Sequence, residues 1–164
     1  HVRFCIGVWG VIPISTREGK FMNTWLVMVN ATKYNLFGAA RKYGDGIPWF
    51  FDGTQGAAVG DEVLFYFTSS DPSSDDEGYG KNIIGSLYQR VVFEGVITEI
   101  DVDLARASRD NEFWSEEHAQ KLKKTCKELV IIKIVKPLYN QNITSGTFNQ
   151  SIWTQNRKTY VVKL

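Results

Sequence analysis

Residues 59–69 read VGDEVLFYFTS. Val59-Gly60-Asp61 has the chemistry of a tight turn, and the β-branched and aromatic residues after it, 62–68, form a strand. A second apolar run, residues 24–30 (TWLVMVN), lies upstream and reads as a buried strand. Residues 90–100 (RVVFEGVITEI) make a longer strand downstream, and Gly95 in its middle marks a bulge or a close backbone approach. Residues 129–135 form another buried strand, and residues 160–164 close the chain with one more. Residues 47–51 (IPWFF) are a short aromatic strand or loop. Residues 2–13, ending at Pro13, are a strand or buried arm, and residues 15–22 are a loop.

Two helices separate these strands. The first starts from Thr32 as N-cap, places Tyr34, Phe37 and Arg41 on one face, and ends at Gly44 as the C′ glycine. The second covers residues 115–128, with Ala119, Leu122 and Cys126 on one face. Glu116 and Glu117 open it and Lys121, Lys123, Lys124 and Lys127 close it, in the sense of the helix dipole. Residues 69–80 (SSDPSSDDEGYG) are a loop, residues 101–114 a polar connection ending in Phe113-Trp114, and residues 140–149 polar and turn-rich. Five to six strands and two helices, without strict alternation, predict an α+β protein: a small twisted β-barrel with helices packed outside.

The 164 residues suit one domain, 1–164, with residues 1–22 as an arm or extra strand. Apolar residues make up 43% and charged residues 23%, enough for a core without staples. No apolar run reaches the roughly 18 residues of a membrane span, and no signal peptide is visible. Cys5 and Cys126 are expected to be buried thiols. The sequons at Asn30, Asn142 and Asn149 carry little weight without a secretion signal, so the expected location is cytoplasmic, or nuclear in a eukaryote. The chain opens on His1 and is read as a piece of a longer protein. The net charge of +1 hides a division. Residues 1–60 hold six basic and three acidic side chains, 61–120 four and fourteen, and 121–164 nine and one. A polyanionic partner therefore fits a near-neutral chain if the basic segments meet in the fold.

Known catalytic patterns fail one by one. His1 and His118 offer no metal-ligand spacing, so neither a metal nor a cofactor is expected. No P-loop and no G-x-S-x-G elbow occurs. The carboxylates Asp71, Asp75, Asp76 and Glu77 sit in a loop rather than on adjoining strands, and Glu18-x-Lys20 has no acidic partner before it. The reading is a binding domain, not an enzyme. Aromatic residues remain: five Trp and ten Phe. Trp49, Trp114 and Trp153 stand beside turns or polar connections, where indoles either cap the rim of the core or wall a site for a planar ring.

The quoted stretches, in this order, resemble the EVE family of the PUA-like superfamily, relatives of the YTH readers of N6-methyladenine. The likeness runs through TWLVMVN, Tyr34 and its helix, Gly46-Ile47-Pro48-Trp49, the VGDEVLFYFTS segment, FEGVITEI at 93–100 and Phe113-Trp114, covering roughly residues 23–164. It implies a PUA-like small barrel that takes a nucleobase swung out of its strand. Carried onto this sequence, Trp49 and Trp114 wall an aromatic cage and Phe113 or Phe50 adds a third surface. Asn30 and Tyr34 read the base edge, and Lys33, Arg41, Lys42, Arg157 and Lys158 hold phosphates. The Asp-rich loop 71–78 departs from a phosphate track and is expected to point away. The implied function is recognition of a modified, methylated base in DNA. Domains of this kind serve as specificity modules of McrB-type modification-dependent restriction proteins, with motor and nuclease parts elsewhere. The alternatives are a YTH-like reader of methylated RNA and a PUA-like interaction domain without nucleic acid.

Overall fold

The computed structural model describes residues 15–17, 20–31, 33–51, 57–68, 87–115, 128–144, 147 and 159–161. Eight strands, one α-helix and two 3-10 helices fall within them. β1 (Ser15–Arg17) and β2 (Lys20–Met22) pair antiparallel, so part of the expected loop 15–22 is a small ladder. The main sheet holds β3 (Thr24–Val29), β4 (Ile47–Phe51), β5 (Glu62–Phe67), β6 (Arg90–Glu99), β7 (Glu128–Pro137) and β8 (Thr159–Val161). Their order is β4-β7-β6-β5-β3-β8. β3 and β5 run parallel, and all other pairs are antiparallel. Parallel neighbours need a crossover, and here it contains α1 (Leu36–Tyr43) and β4.

This mixed sheet is curled. In a flat sheet β4 and β5, three steps apart, would be separated by about 14 Å, and β3 and β4 by about 19 Å. Instead the rings of Trp49 and Phe65 lie 5.5 Å apart and those of Trp25 and Phe51 5.6 Å apart. Register shifts at Phe65/Tyr66, Glu94/Gly95 and Ile97/Glu99 supply local twist. Gly95 is both a bulge and a close approach: a Cβ there would stand 2.7 Å from Ile132 Cγ2 and 2.9 Å from the Lys133 carbonyl oxygen. The expected barrel is thus a half-barrel, and its described helical flank is a single α-helix.

Period-two alternation divides the apolar side chains. Trp25, Val27, Val29, Ile47, Trp49, Phe51, Val63, Phe65 and Phe67 fill the concave face under Leu36, Phe37 and Ala39 of α1. Leu26, Leu64, Tyr66 and Val91 form one cluster on the convex face, and Phe50, Leu129 and Ile131 another. Burial on both faces explains why β3 and β5 read as unbroken apolar runs.

Two expected helix ends move. Asn35, not Thr32, caps α1: its side chain accepts from the Gly38 amide at 2.8 Å. Tyr34 therefore precedes the helix. Gly44 sits at φ −63°, right-handed rather than left-handed. It is glycine because a Cβ there would collide with the Ala40 carbonyl oxygen. The expected strand at 2–13, the acidic loop at 71–78, the body of the helix expected at 115–128, and Cys5, His118, Cys126 and Trp153 lie outside the described residues.

The VGD turn holds the start of the sheet together. The buried Asp61 carboxylate accepts from the Asn23 amide at 3.1 Å, the Trp25 indole at 2.8 Å and the Ala58 amide at 3.0 Å. Gly60 adopts φ +98°, which a residue with a Cβ rarely reaches.

Candidate base-binding site

Tyr34 stands at the centre of the aromatic side chains. The turn that launches it closes on Asn30, whose carbonyl accepts from the Lys33 amide at 3.0 Å and the Tyr34 amide at 3.1 Å. Residues 113–115 run back alongside it. Tyr34 and Trp114 form an isolated antiparallel bridge. The Asn35 amide donates to the Phe113 carbonyl and the Ser115 amide to the Lys33 carbonyl, each at 2.8 Å. Two remote parts of the chain are thereby joined across Tyr34.

Three rings meet there. Trp114 lies 4.2 Å from Tyr34, centroid to centroid, at an interplanar angle of 31°. Trp49 meets the edge of Tyr34 at 5.3 Å and 71°. Trp49 and Trp114 are 5.6 Å apart at 41°. Tyr34 and Trp49 are buried, at 2% and 4% exposure, whereas Trp114 is half-buried. A ring sandwiched between two others needs roughly 7–8 Å between them, twice a carbon–carbon contact distance. The two indoles therefore converge on each other, and Trp114 covers the face of Tyr34.

Below the rings lies a carboxylate. Two 3-10 helices, η1 (Leu104–Ser108) and η2 (Asn111–Phe113), carry the chain to Trp114. Asp103 caps η1 in the ordinary way, accepting from the Ala105 amide at 2.9 Å. Asp110 at the start of η2 makes no side-chain cap bond. It is fully buried, and its Oδ2 accepts from the Tyr34 hydroxyl at 2.7 Å. Burial pushes the Asp110 carboxyl up to about 6, against the pull of the Tyr34 hydroxyl, its own backbone amide, the Trp114 indole and the Arg109 guanidinium. Burial and the neighbouring carboxylate drive the Tyr34 phenol well above its ordinary value.

Three buried polar atoms around these rings have no hydrogen-bond partner among the described residues: Asp110 Oδ1, Trp49 Nε1 and Ser115 Oγ. Such groups are rare in native interiors, and each is costly unless something meets it. Asp61 and Trp25 provide the contrast, because the same two residue types there bond directly to each other.

An outer clasp holds this segment against α1. Arg109 donates to the Gly46 carbonyl at 2.9 Å and to Asp45 at 3.1 Å, with its guanidinium 4.9 Å from the Tyr43 ring centroid. Glu112 accepts from Lys42 at 2.7 Å and from the Tyr43 hydroxyl at 2.8 Å. Phe113 packs into the notch left by Gly38, where a Cβ would lie 2.6 Å from its ring.

Of the expected site residues, the fold gathers Trp49, Trp114 and Tyr34. Phe50 points to the other face of β4, because neighbours on a strand alternate, and belongs to the convex cluster with Leu129 and Ile131. Phe113 faces Tyr43 at 6.0 Å and Gly38, outside the trio. Asn30 is exposed and serves the turn through its carbonyl. Lys33, Arg41 and Lys42 are all exposed, and Lys42 pairs with Glu112. Arg157 and Lys158 lie outside the described residues. Sequence reasoning missed Asp110, which reads as one more acid in a polar connection. No group of three or more His, Cys, Asp or Glu gathers among the described residues, and no helix among them is long and apolar enough to cross a membrane.

No family model matches the chain, and no curated protein sequence does. Three solved structures resemble it. Human THYN1, in complex with 5-methylcytosine-containing DNA, has a TM-score of 0.46 at 12% identity, over 86% of this chain and 91% of that one. Atu2648 from Agrobacterium tumefaciens has a TM-score of 0.43 at 15% identity, over 86% and 85%. Rpa0253 from Rhodopseudomonas palustris has a TM-score of 0.37 at 19% identity, and the alignment covers 71% of this chain but only 63% of that protein.

Proposed function

We propose that this chain is a nucleic-acid-binding module that takes a single base, modified by methylation, out of its strand. One observation carries the reading. Trp49 and Trp114, remote in sequence, meet over Tyr34 with buried, unpaired polar atoms around them. The order of motifs that resembles EVE and YTH domains supports the same reading. Because the indoles touch in the free chain, the base enters by displacing Trp114 from Tyr34 rather than by filling a standing gap.

The energetics suit this exchange. Extruding a base costs a few kcal/mol, and stacking on an aromatic ring returns about 1–3 kcal/mol. A buried methyl group adds about 0.8 kcal/mol that the plain base lacks. Lys33 and Arg41 on the surface hold phosphates and set register without reading sequence. The chain itself carries no catalysis in this reading. It supplies specificity to motor and nuclease parts of a modification-dependent restriction system, working in the cytoplasm on DNA.

The test is a binding panel of DNA and RNA oligonucleotides bearing N6-methyladenine, 5-methylcytosine, 5-hydroxymethylcytosine or no mark. Tighter binding of one marked DNA is expected, with the preference lost in Trp114→Ala. Equal binding of marked and plain strands removes the modification claim, and preference for marked RNA replaces DNA by RNA.

A further inference from the structure

We propose that residues 109–115 form a cover over Tyr34 that loosens as the pH rises, with Asp110 as its latch. The cover is a property of the free chain and stands apart from the identity of any occupant. Tyr34 and Trp49 are buried, whereas Phe113, Trp114 and Ser115, which run across Tyr34, are half-buried. Two backbone hydrogen bonds tie the segment to the Tyr34 turn, from the Asn35 amide to the Phe113 carbonyl and from the Ser115 amide to the Lys33 carbonyl, each at 2.8 Å. On the outer side Arg109 donates to the Gly46 carbonyl at 2.9 Å. The ion pairs there, Arg109 with Asp45 and Lys42 with Glu112, are exposed and contribute little. Within 109–115 Asp110 alone is fully buried, and it is an acid. It makes no cap bond on η2; its Oδ2 accepts from the Tyr34 hydroxyl at 2.7 Å, and its Oδ1 has no partner among the described residues.

A carboxylate held this way is poorly solvated, so its charge favours any arrangement in which water reaches it. Burial accordingly lifts the Asp110 carboxyl to about 6. The closed cover binds this proton more tightly than an open one, in which the carboxyl returns toward its ordinary 3.8. Closure is therefore firmest below about pH 4, weakens up to about pH 6 and is constant above it. The titratable and charged groups that act on Asp110 are Tyr34, from the turn before α1, and Arg109, on its own segment. Tyr34 is driven well above its ordinary value and remains a donor throughout, and Arg109 stays charged. β4 brings Trp49 to the cluster, which does not titrate. Glu112, on the outer side, is held below its ordinary range by Lys42 and the Tyr43 hydroxyl, so that clasp loosens as the pH falls, in the opposite sense. For an exchange of Trp114 against an incoming ring the latch sets a direction: Trp114 yields more readily at pH 7 than at pH 4.

Hydrogen exchange on the whole chain tests the latch. Exchange of the Asn35 and Ser115 amides is measured from pH 4 to pH 7, each rate divided by that of the unstructured chain at the same pH. The Ile97 amide, bonded to the Asp61 carbonyl at 2.9 Å within the sheet, is the reference for global unfolding. Asn35 and Ser115 are expected to be less protected than Ile97 at pH 7. Their protection should fall by up to about a hundredfold between pH 4 and pH 6 and stay level above it. D110N should flatten that fall. Protection equal to that of Ile97 overturns the cover, since Trp114 then leaves Tyr34 only when the whole chain unfolds. Protection that is level across the series, or that rises with pH under the control of the Glu112 clasp, overturns the latch. A fall that persists in folded D110N overturns it too, by assigning the proton to another group. The pH series needs no variant, so a D110N chain that does not fold leaves the test standing. It also contains no nucleic acid, so its failure leaves the base-binding reading as it was.

Discussion

Asp110 and Asp61 are both buried carboxylates, yet their surroundings differ in what they complete. Asp61 receives three hydrogen bonds, from Asn23 and Trp25 at the start of β3 and from Ala58 in its own turn. D61A would strand those donors, and we expect a loss of about 3–5 kcal/mol in urea unfolding, several unmet buried groups at once. Asp110 behaves in the opposite sense. Its folded value near 6 lies above the ordinary 3.8, so the folded chain binds that proton more tightly than the unfolded one. Its contribution to stability is full below about pH 4 and is lost as the pH rises through about 6. D110N should therefore be more stable than the unmodified chain at pH 7.5, by on the order of 2–3 kcal/mol at most, with the difference fading by pH 4. Paired urea titrations at the two pH values check this. The two indoles should separate as well. Trp49→Ala should cost about 3–5 kcal/mol as a core truncation. Trp114→Ala, at a half-buried site, should cost on the order of 1–2 kcal/mol while removing base discrimination.

Between α1 and η2 the contact depends on a missing side chain. Gly38 receives the Phe113 ring, and Phe113 leads directly into Trp114. G38A improves helix propensity by up to about 1 kcal/mol, but the new methyl group must push that ring aside. We expect a shifted tryptophan emission spectrum and weakened base preference, with little or no gain in melting temperature. Gly95 tests the sheet in the same manner. G95A meets Ile132 and the Lys133 backbone, neither of which swings away as a side-chain tip does. A loss of about 1–3 kcal/mol is expected, the cost of overpacking, read as a lowered thermal midpoint.

Across the whole molecule, charge decides how the partner is held. Lys33, Arg41 and Lys42 are the described, exposed members of the expected phosphate set, and Lys42 bonds Glu112. If Lys33 and Arg41 alone neutralise phosphates, the logarithm of the affinity should fall with that of salt at a slope near −2, about −0.9 per contact. A slope steeper than about −3 would assign phosphate contacts to further basic residues, such as Arg157, Lys158 or the lysines at 121–127. The curl of the sheet matters at this scale too. It carries β4 over to β5, and with it Trp49 against Phe65, so the indole sits on the core rather than on a loop.

Strands β3, β5, β6 and β7 were legible because their apolar runs and the VGD turn are local signals, written in consecutive residues. The grouping of Trp49, Trp114 and Tyr34 was legible only through the order of motifs, because nothing local in the chain joins them. Sequence period correctly forbids Phe50 from sharing a face with Trp49 once β4 is known to be a strand, a choice the Pro48-containing run left open. Asn35 and Thr32 are both strong N-cap residue types, so local preference does not choose between them. Asp110 was beyond reach. A carboxylate in a polar run is ordinarily solvated, whereas here Asp110 is buried beside the Tyr34–Trp114 bridge, with Oδ1 unpartnered among the described residues. Local propensity and alternation thus determined the strands and their faces, while long-range chain pairing decided which polar atoms lost water without gaining a partner.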